Sequence, residues 1–111
     1  ALAACIDACI DCAQACTACA DACLGEDMVA DMRRCITTDL NCADVCGTAG
    51  RVLSRQSAYS PELTAAVLEA CRRTCAICAE ECEGHAQMDH CKVCAEACRR
   101  CEAACGALLA A

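Results

Sequence analysis

A chain of 111 residues is long enough for one domain of ordinary size, and we expect residues 1–111 to form a single domain. Although 59% of the residues are apolar, Phe and Trp are absent and Tyr59 is the only aromatic, which excludes a core of large side chains. The net charge of −7, without basic clusters, argues against nucleic acid and anionic membranes as partners. We expect no apolar run to cross a bilayer and see no signal-peptide pattern at the N-terminus.

The eighteen cysteines are far above the level that marks a disulfide scaffold, so disulfide bonding is the first interpretation to weigh. Small disulfide-rich domains contain many loops, Gly and Pro, whereas this chain has five Gly and one Pro. Cysteines four residues apart on a helix also have Cβ atoms that converge poorly for a disulfide. The sequence therefore favours free thiols on helices.

The first predicted helix runs from about Ala3 to Leu24 and ends at Gly25. Its cysteines follow one another in steps of four and three residues, which places them in a single row along a helix. In an ordinary helix bundle Leu and Ile occupy such a row. Here the row is formed by Cys5, Cys9, Cys12, Cys16, Cys19 and Cys23.

The second predicted helix runs from about Met28 to Arg55, with Asp27 as its N-cap. Its row has the same spacing but is interrupted by a carboxylate. The row contains Met28, Met32, Cys35, Asp39, Cys42 and Cys46.

The third predicted helix begins at Ser60 and Pro61, a capping residue followed by proline, and ends near Gly84. The fourth begins near Gln87. Their rows contain Thr64, Leu68, Cys71, Cys75, Cys78, Cys82 and His85 on the third helix, and Cys91, Cys94, Cys98, Cys101, Cys105 and Leu108 on the fourth.

Two of the three connections are short, which favours antiparallel neighbours. We therefore predict an all-α fold, an antiparallel up-down-up-down four-helix bundle with a cysteine-lined core. This topology places the loops after the first and third helices at the same end, called here the mouth, which holds Met28, Met32, His85, Met88 and His90. The opposite end, called here the plug, gathers Leu2, Val52, Leu53, Tyr59, Leu63, Val67, Leu68, Leu108 and Leu109. Off the rows, Ile6, Ile10, Val29, Ile36 and Leu40 either flank the core or form an interface.

Thiolates and thioethers are soft ligands, which select Cu(I), zinc or iron–sulfur clusters. Structural zinc favours closed sets of four ligands, and clusters favour cysteines in loops, whereas these thiols form continuous helical rows. Cu(I) needs only two or three thiolates, and one sulfur can bridge two ions, so about one Cu(I) per thiolate is expected. All eighteen cysteines are candidate ligands. The mouth residues are candidates for receiving copper, and Asp39 is a candidate auxiliary ligand or hydrogen-bond partner.

The cysteine rows, together with the Met and His residues at one end, resemble the bacterial copper storage proteins over the whole chain. The resemblance implies a four-helix bundle that fills with Cu(I) through its thiolates, commonly as a homotetramer. In the absence of a signal peptide, the chain is similar to the cytoplasmic members. The resemblance suggests copper ions as partners and a copper chaperone as donor. Asp39 departs from a regular cysteine row, which leaves the ligand set beside it open.

Three other functions stay open as alternatives. The first is an enzyme with a nucleophilic or redox cysteine, but no cysteine is distinguished from its neighbours and no triad or phosphate loop is present, so we expect no enzyme. The second is a thiol redox buffer. The third is a zinc or mixed-metal thiolate buffer of the metallothionein type, which would bind fewer ions than it has thiols.

Overall fold

The structure is a computed structural model that describes residues 1–111. Four helices follow one another along the chain: α1, Leu2–Leu24; α2, Arg33–Ser54; α3, Pro61–Glu83; and α4, Asp89–Ala110. Each of α1 and α3 packs against both α2 and α4, so α1 lies diagonally opposite α3. The prediction of an all-α four-helix bundle is confirmed.

The start of the second helix differs from its prediction. A short 3₁₀ turn, Val29–Met32, precedes α2, and Asp27 does not cap the helix. Because a 3₁₀ turn winds more tightly than an α-helix, Met28 leaves the row and is 48% exposed. Met32, at the end of the turn, is fully buried in the core.

The predicted start of the third helix is confirmed in detail. The Ser60 side chain accepts a hydrogen bond from the Leu63 backbone N–H at 3.2 Å, and Pro61 is the first helical residue. The fourth helix begins at Asp89, two residues after its predicted start, because residues around Met88 form turns.

The core is one continuous cluster that contains all eighteen cysteines together with a few larger side chains. At the plug end Leu53 and Leu68 are buried, whereas Tyr59 and Leu63 are more than half exposed. The flanking residues divide into two groups. Ile6 and Ile36 pack against the core, and Ile10, Val29 and Leu40 are exposed.

Helix α1 is long and apolar enough to cross a membrane by the criteria of length and composition alone. This finding corrects the expectation that no segment is, because Ala and Cys raise the hydropathy of the helix. In the fold, the cysteine row of α1 is buried against the other helices, so α1 contributes one face to the core of the bundle.

Candidate metal centre

All eighteen thiols are buried and none forms a disulfide. Within one helix, the four-residue step brings Cys12 Sγ to 3.8 Å from Cys16 Sγ. Between helices, Cys46 Sγ lies 3.4 Å from Cys75 Sγ. Contacts also cross the diagonal of the bundle, as between the Cys12 and Cys75 sulfurs at 3.9 Å. These are contacts between unbonded sulfurs, since a disulfide bond is about 2.05 Å long.

The thiols form sets of four whose sulfurs all lie within 4.8 Å of one another. The sulfur spacing fits a shared metal, because sulfurs around one tetrahedral ion are about 3.8 Å apart for metal–sulfur bonds of about 2.3 Å. Rows without sets of four were expected from the sequence, and the sets arise because the four rows meet at matching heights. They include Cys9–Cys71–Cys101–Cys105, Cys12–Cys46–Cys75–Cys101, Cys12–Cys16–Cys42–Cys98, Cys16–Cys78–Cys94–Cys98 and Cys19–Cys23–Cys35–Cys91.

Neighbouring sets share cysteines along the axis of the bundle. Cys12 belongs to two of these sets, as do Cys16, Cys98 and Cys101. A metal bound in one set therefore competes for sulfurs with a metal in the next, unless the shared sulfur bridges both. The arrangement suits an ion that accepts bridging thiolates and low coordination numbers.

Asp39 is fully buried at the point where the row of α2 would otherwise carry a thiol. Its Oδ1 accepts hydrogen bonds from the thiols of Cys78 at 3.1 Å, and of Cys82 and Cys94 at 3.4 Å each. The second oxygen, Oδ2, lies 3.9 Å from Cys35 Sγ. Burial in the core is the largest cause of the shift that raises the pKa of Asp39 to about 9, so the carboxyl group is protonated at neutral pH.

The thiols at the two ends of the core are also held in their neutral form. Burial raises the pKa of Cys5 at the plug end, and it raises the pKa of Cys23 at the mouth to about 11. A soft metal ion must therefore displace a proton when it binds either of these thiols.

At the mouth, His90 faces the thiols directly. Its Nδ1 lies 3.5 Å from Cys91 Sγ, 3.6 Å from Cys19 Sγ and 3.9 Å from Cys23 Sγ. Its Nε2 lies 3.0 Å from Glu26 Oε1. Burial lowers the pKa of His90, but its contacts with Cys19 and Glu26 raise it, and the net shift is upward.

His85 is at the mouth but makes no hydrogen bond to a thiol. Its Nε2 lies 3.0 Å from Glu81 Oε2, and the other oxygen of Glu81 pairs with Arg34 Nε at 3.1 Å. Glu81 and Glu26 were both missed from the sequence. The four-residue spacing between Glu81 and His85 is a usable signal, whereas no sequence spacing relates Glu26 to His90.

The three methionines of the mouth lie at different depths. Met28 is exposed, Met88 is half-buried against the core and Met32 is fully buried. The predicted site residues are therefore brought together, with the exception of His85, which faces carboxylate oxygen, and Met28, which faces solvent.

Comparison with known proteins places this site in a family. The family model Csp, described as copper storage protein, matches residues 1–110. The chain is 38% identical over 107 residues to the cysteine-rich protein YhjQ of Bacillus subtilis, covering 96% of this chain and 94% of YhjQ.

Solved structures show the same fold with copper. The chain is similar to a cytosolic copper storage protein from Streptomyces lividans, solved during copper loading with five coppers, with 58% identity and a TM-score of 0.97 over 99% of this chain and 92% of that one. It is also similar to the Cu(I)-bound copper storage protein BsCsp3, with 37% identity and a TM-score of 0.86 over 96% of this chain and 95% of that one.

The protonated state of Asp39 predicts how the stability of the metal-free, reduced protein depends on pH. Because the pKa of Asp39 is higher in the folded state, the folded protein keeps a proton that the unfolded chain loses above about pH 4. The free energy of unfolding should therefore fall as the pH rises from about 5 to about 8, by at most about 1.4 kcal/mol per pH unit from this group.

Urea unfolding of the variant Asp39→Asn should show a flatter dependence, because its side chain carries no such proton. The matched variant Asp44→Asn, at an exposed position of α2, should keep the slope of the wild type. The assignment is wrong if Asp39→Asn and the wild type lose stability with the same slope.

Proposed function

This chain belongs to the copper storage protein family, and on that premise we propose that it stores copper as Cu(I) ions bound to its buried cysteines. The observation that carries the proposal is a single core cluster that contains eighteen buried, unbonded thiols, many of whose sulfurs lie 3.4 to 4.0 Å from a neighbouring sulfur. Storage in this interior keeps Cu(I) away from water and from oxidants.

Charge favours Cu(I) over zinc in this core. One Cu(I) replaces one thiol proton, so a core with one ion per thiolate stays neutral. A zinc ion held by four thiolates leaves two negative charges in a buried site, which is costly unless they are compensated. The shared membership of Cys12 and Cys98 in two sets also prevents zinc from filling every set independently.

Anaerobic titration of the reduced protein with Cu(I), in competition with a chelator, tests this proposal. We expect tight uptake of about one copper per thiolate, counted after gel filtration. A parallel titration with zinc should saturate at about one ion per four thiolates. Saturation with Cu(I) after only a few ions would contradict storage and would favour the zinc buffer or the thiol redox buffer.

We further propose that copper is taken up at the mouth. The exposed Met28, the half-buried Met88 and the buried Met32 form a graded set of thioethers between solvent and the first thiols. Thioether sulfur binds Cu(I) without losing a proton, so these residues are suited to receive an ion and pass it inward. Nδ1 of His90 then lies within 3.9 Å of the sulfurs of three candidate thiol ligands. Asp39 acts as an auxiliary ligand or hydrogen-bond partner further along the axis.

Replacing all three methionines with leucine keeps the volume of the mouth but removes its sulfurs. We expect the variant Met28→Leu/Met32→Leu/Met88→Leu to load Cu(I) severalfold more slowly, with its final copper content nearly unchanged. Stopped-flow loading and copper counting on the same samples separate rate from capacity. Uptake at the rate of the wild type would exclude a role for the thioethers.

The remaining proposals concern the setting in which the protein works. We propose that residues 1–111 act as one domain in the cytoplasm, in keeping with the cytosolic relative from Streptomyces lividans, and receive copper from a chaperone. We propose no enzymatic activity, because every thiol is buried away from any substrate in solution. A homotetramer would cover apolar side chains such as Ile10 and Leu40, which are 56% and 48% exposed, and light scattering reports the number of chains.

A further inference from the structure

The contact between Glu26 and His90 joins two segments that are distant in the sequence. Glu26 lies in the turn after α1, where its backbone N–H donates to the Cys23 carbonyl at 3.2 Å. His90 is the second residue of α4. The carboxylate oxygen Oε1 lies 3.0 Å from His90 Nε2, and both side chains are about one-quarter to one-third exposed. The backbone hydrogen bond fixes the position of Glu26 at the rim of the mouth.

The two nitrogens of the His90 ring face different chemical groups. Nε2 faces a carboxylate, which only accepts hydrogen bonds when it is ionised. Nδ1 faces the sulfurs of Cys19, Cys23 and Cys91, which with Cys35 form the set of four nearest to the mouth. A neutral imidazole carries a proton on only one of its two nitrogens, and a hydrogen-bond acceptor that faces one nitrogen favours the tautomer with the proton there.

We propose that Glu26 is a positioning residue that holds the proton of His90 on Nε2, so that the lone pair of Nδ1 is directed at the three thiols where copper is received. The inference rests on the uptake route proposed above and deepens it. A histidine that binds a metal through one nitrogen commonly donates its other N–H to a carboxylate, which fixes the ring and its tautomer. Here Glu26 Oε1 lies 3.0 Å from Nε2 while Nδ1 faces the thiols, which is the arrangement that such a pair requires.

His85 provides an internal comparison. It makes the same contact between Nε2 and a carboxylate, at 3.0 Å from Glu81, but no thiol lies within hydrogen-bonding distance of its ring. Glu81 lies on the same helix and is also paired with Arg34. The carboxylate alone therefore does not define the site. The combination of Glu26 on one nitrogen and three thiols on the other occurs at His90 only.

The variant Glu26→Gln tests the inference, because it keeps the shape of the side chain but removes its preference for a protonated Nε2 on His90. A glutamine amide both donates and accepts, so it stabilises either tautomer of His90. In the metal-free, reduced protein, at a pH above the raised pKa of His90 so that its imidazole is neutral, long-range ¹⁵N–¹H NMR spectra should show His90 protonated at Nε2 in the wild type and as a tautomer mixture in Glu26→Gln. The signals of His85 should not change and serve as a reference.

The same variant should load the first Cu(I) on the order of tenfold more slowly than the wild type, as expected for loss of a partner that orients a metal ligand. The matched variant Glu83→Gln removes one negative charge from the end of α3, where Glu83 pairs with Arg99 on the surface, and should load at the wild-type rate. Circular dichroism of each variant checks that the bundle is folded.

The outcomes separate this inference from the proposed function. An altered tautomer together with slow loading supports both. An unchanged tautomer of His90 in Glu26→Gln overturns the inference. The inference is also overturned if the tautomer changes but Glu26→Gln loads copper at the wild-type rate, while His90→Ala loads it more slowly. If His90→Ala also loads at the wild-type rate, the uptake route at the mouth is wrong, and the inference fails with it, whatever the tautomer.

Discussion

The structure depends on one constraint: the same sulfur atoms must pack the core and bind the cargo. Cysteine is small, polarisable and readily buried, so rows of neutral thiols fill the interior through van der Waals contacts. The burial that makes this packing possible also raises the pKa of terminal thiols such as Cys5 and Cys23. These terminal thiols are therefore neutral without copper, and a Cu(I) ion that replaces the proton of a thiol adds no net charge to the core.

This constraint explains the difference between the two ends of the bundle. Side chains as small as cysteine bury little apolar area, so the larger residues Leu53 and Leu68 contribute packing at the plug end. At the other end, Met32 is buried in the core, and His90 contacts the thiols from a partly exposed position, where we propose that copper enters. Because copper binds to the folded core, loading should also stabilise the fold.

Much of the fold follows from the sequence, because steps of three and four residues fix which face of a helix is buried, whatever side chain occupies it. The cysteine rows and the capped start of α3 at Ser60 were predicted on that basis. The position of Met28 was not, since a 3₁₀ turn replaces the first turn of the expected helix. The sets of four thiols and the partners of Asp39 depend on the heights at which helices meet. The contact between Glu26 and His90 depends on the conformation of the turn after α1. Neither the relative heights of the helices nor the conformation of this turn can be read from a single sequence.

The central claim is that the whole line of thiols, and not one local site, holds the copper. Anomalous diffraction at the copper edge, from crystals of reduced protein loaded with excess Cu(I), tests it most directly. The account predicts copper peaks along the full axis, from the thiols near Cys5 and Cys105 to those near Cys23 and Cys91, with bridging sulfurs between them. Peaks confined to the mouth, or scattered over the surface, would contradict it.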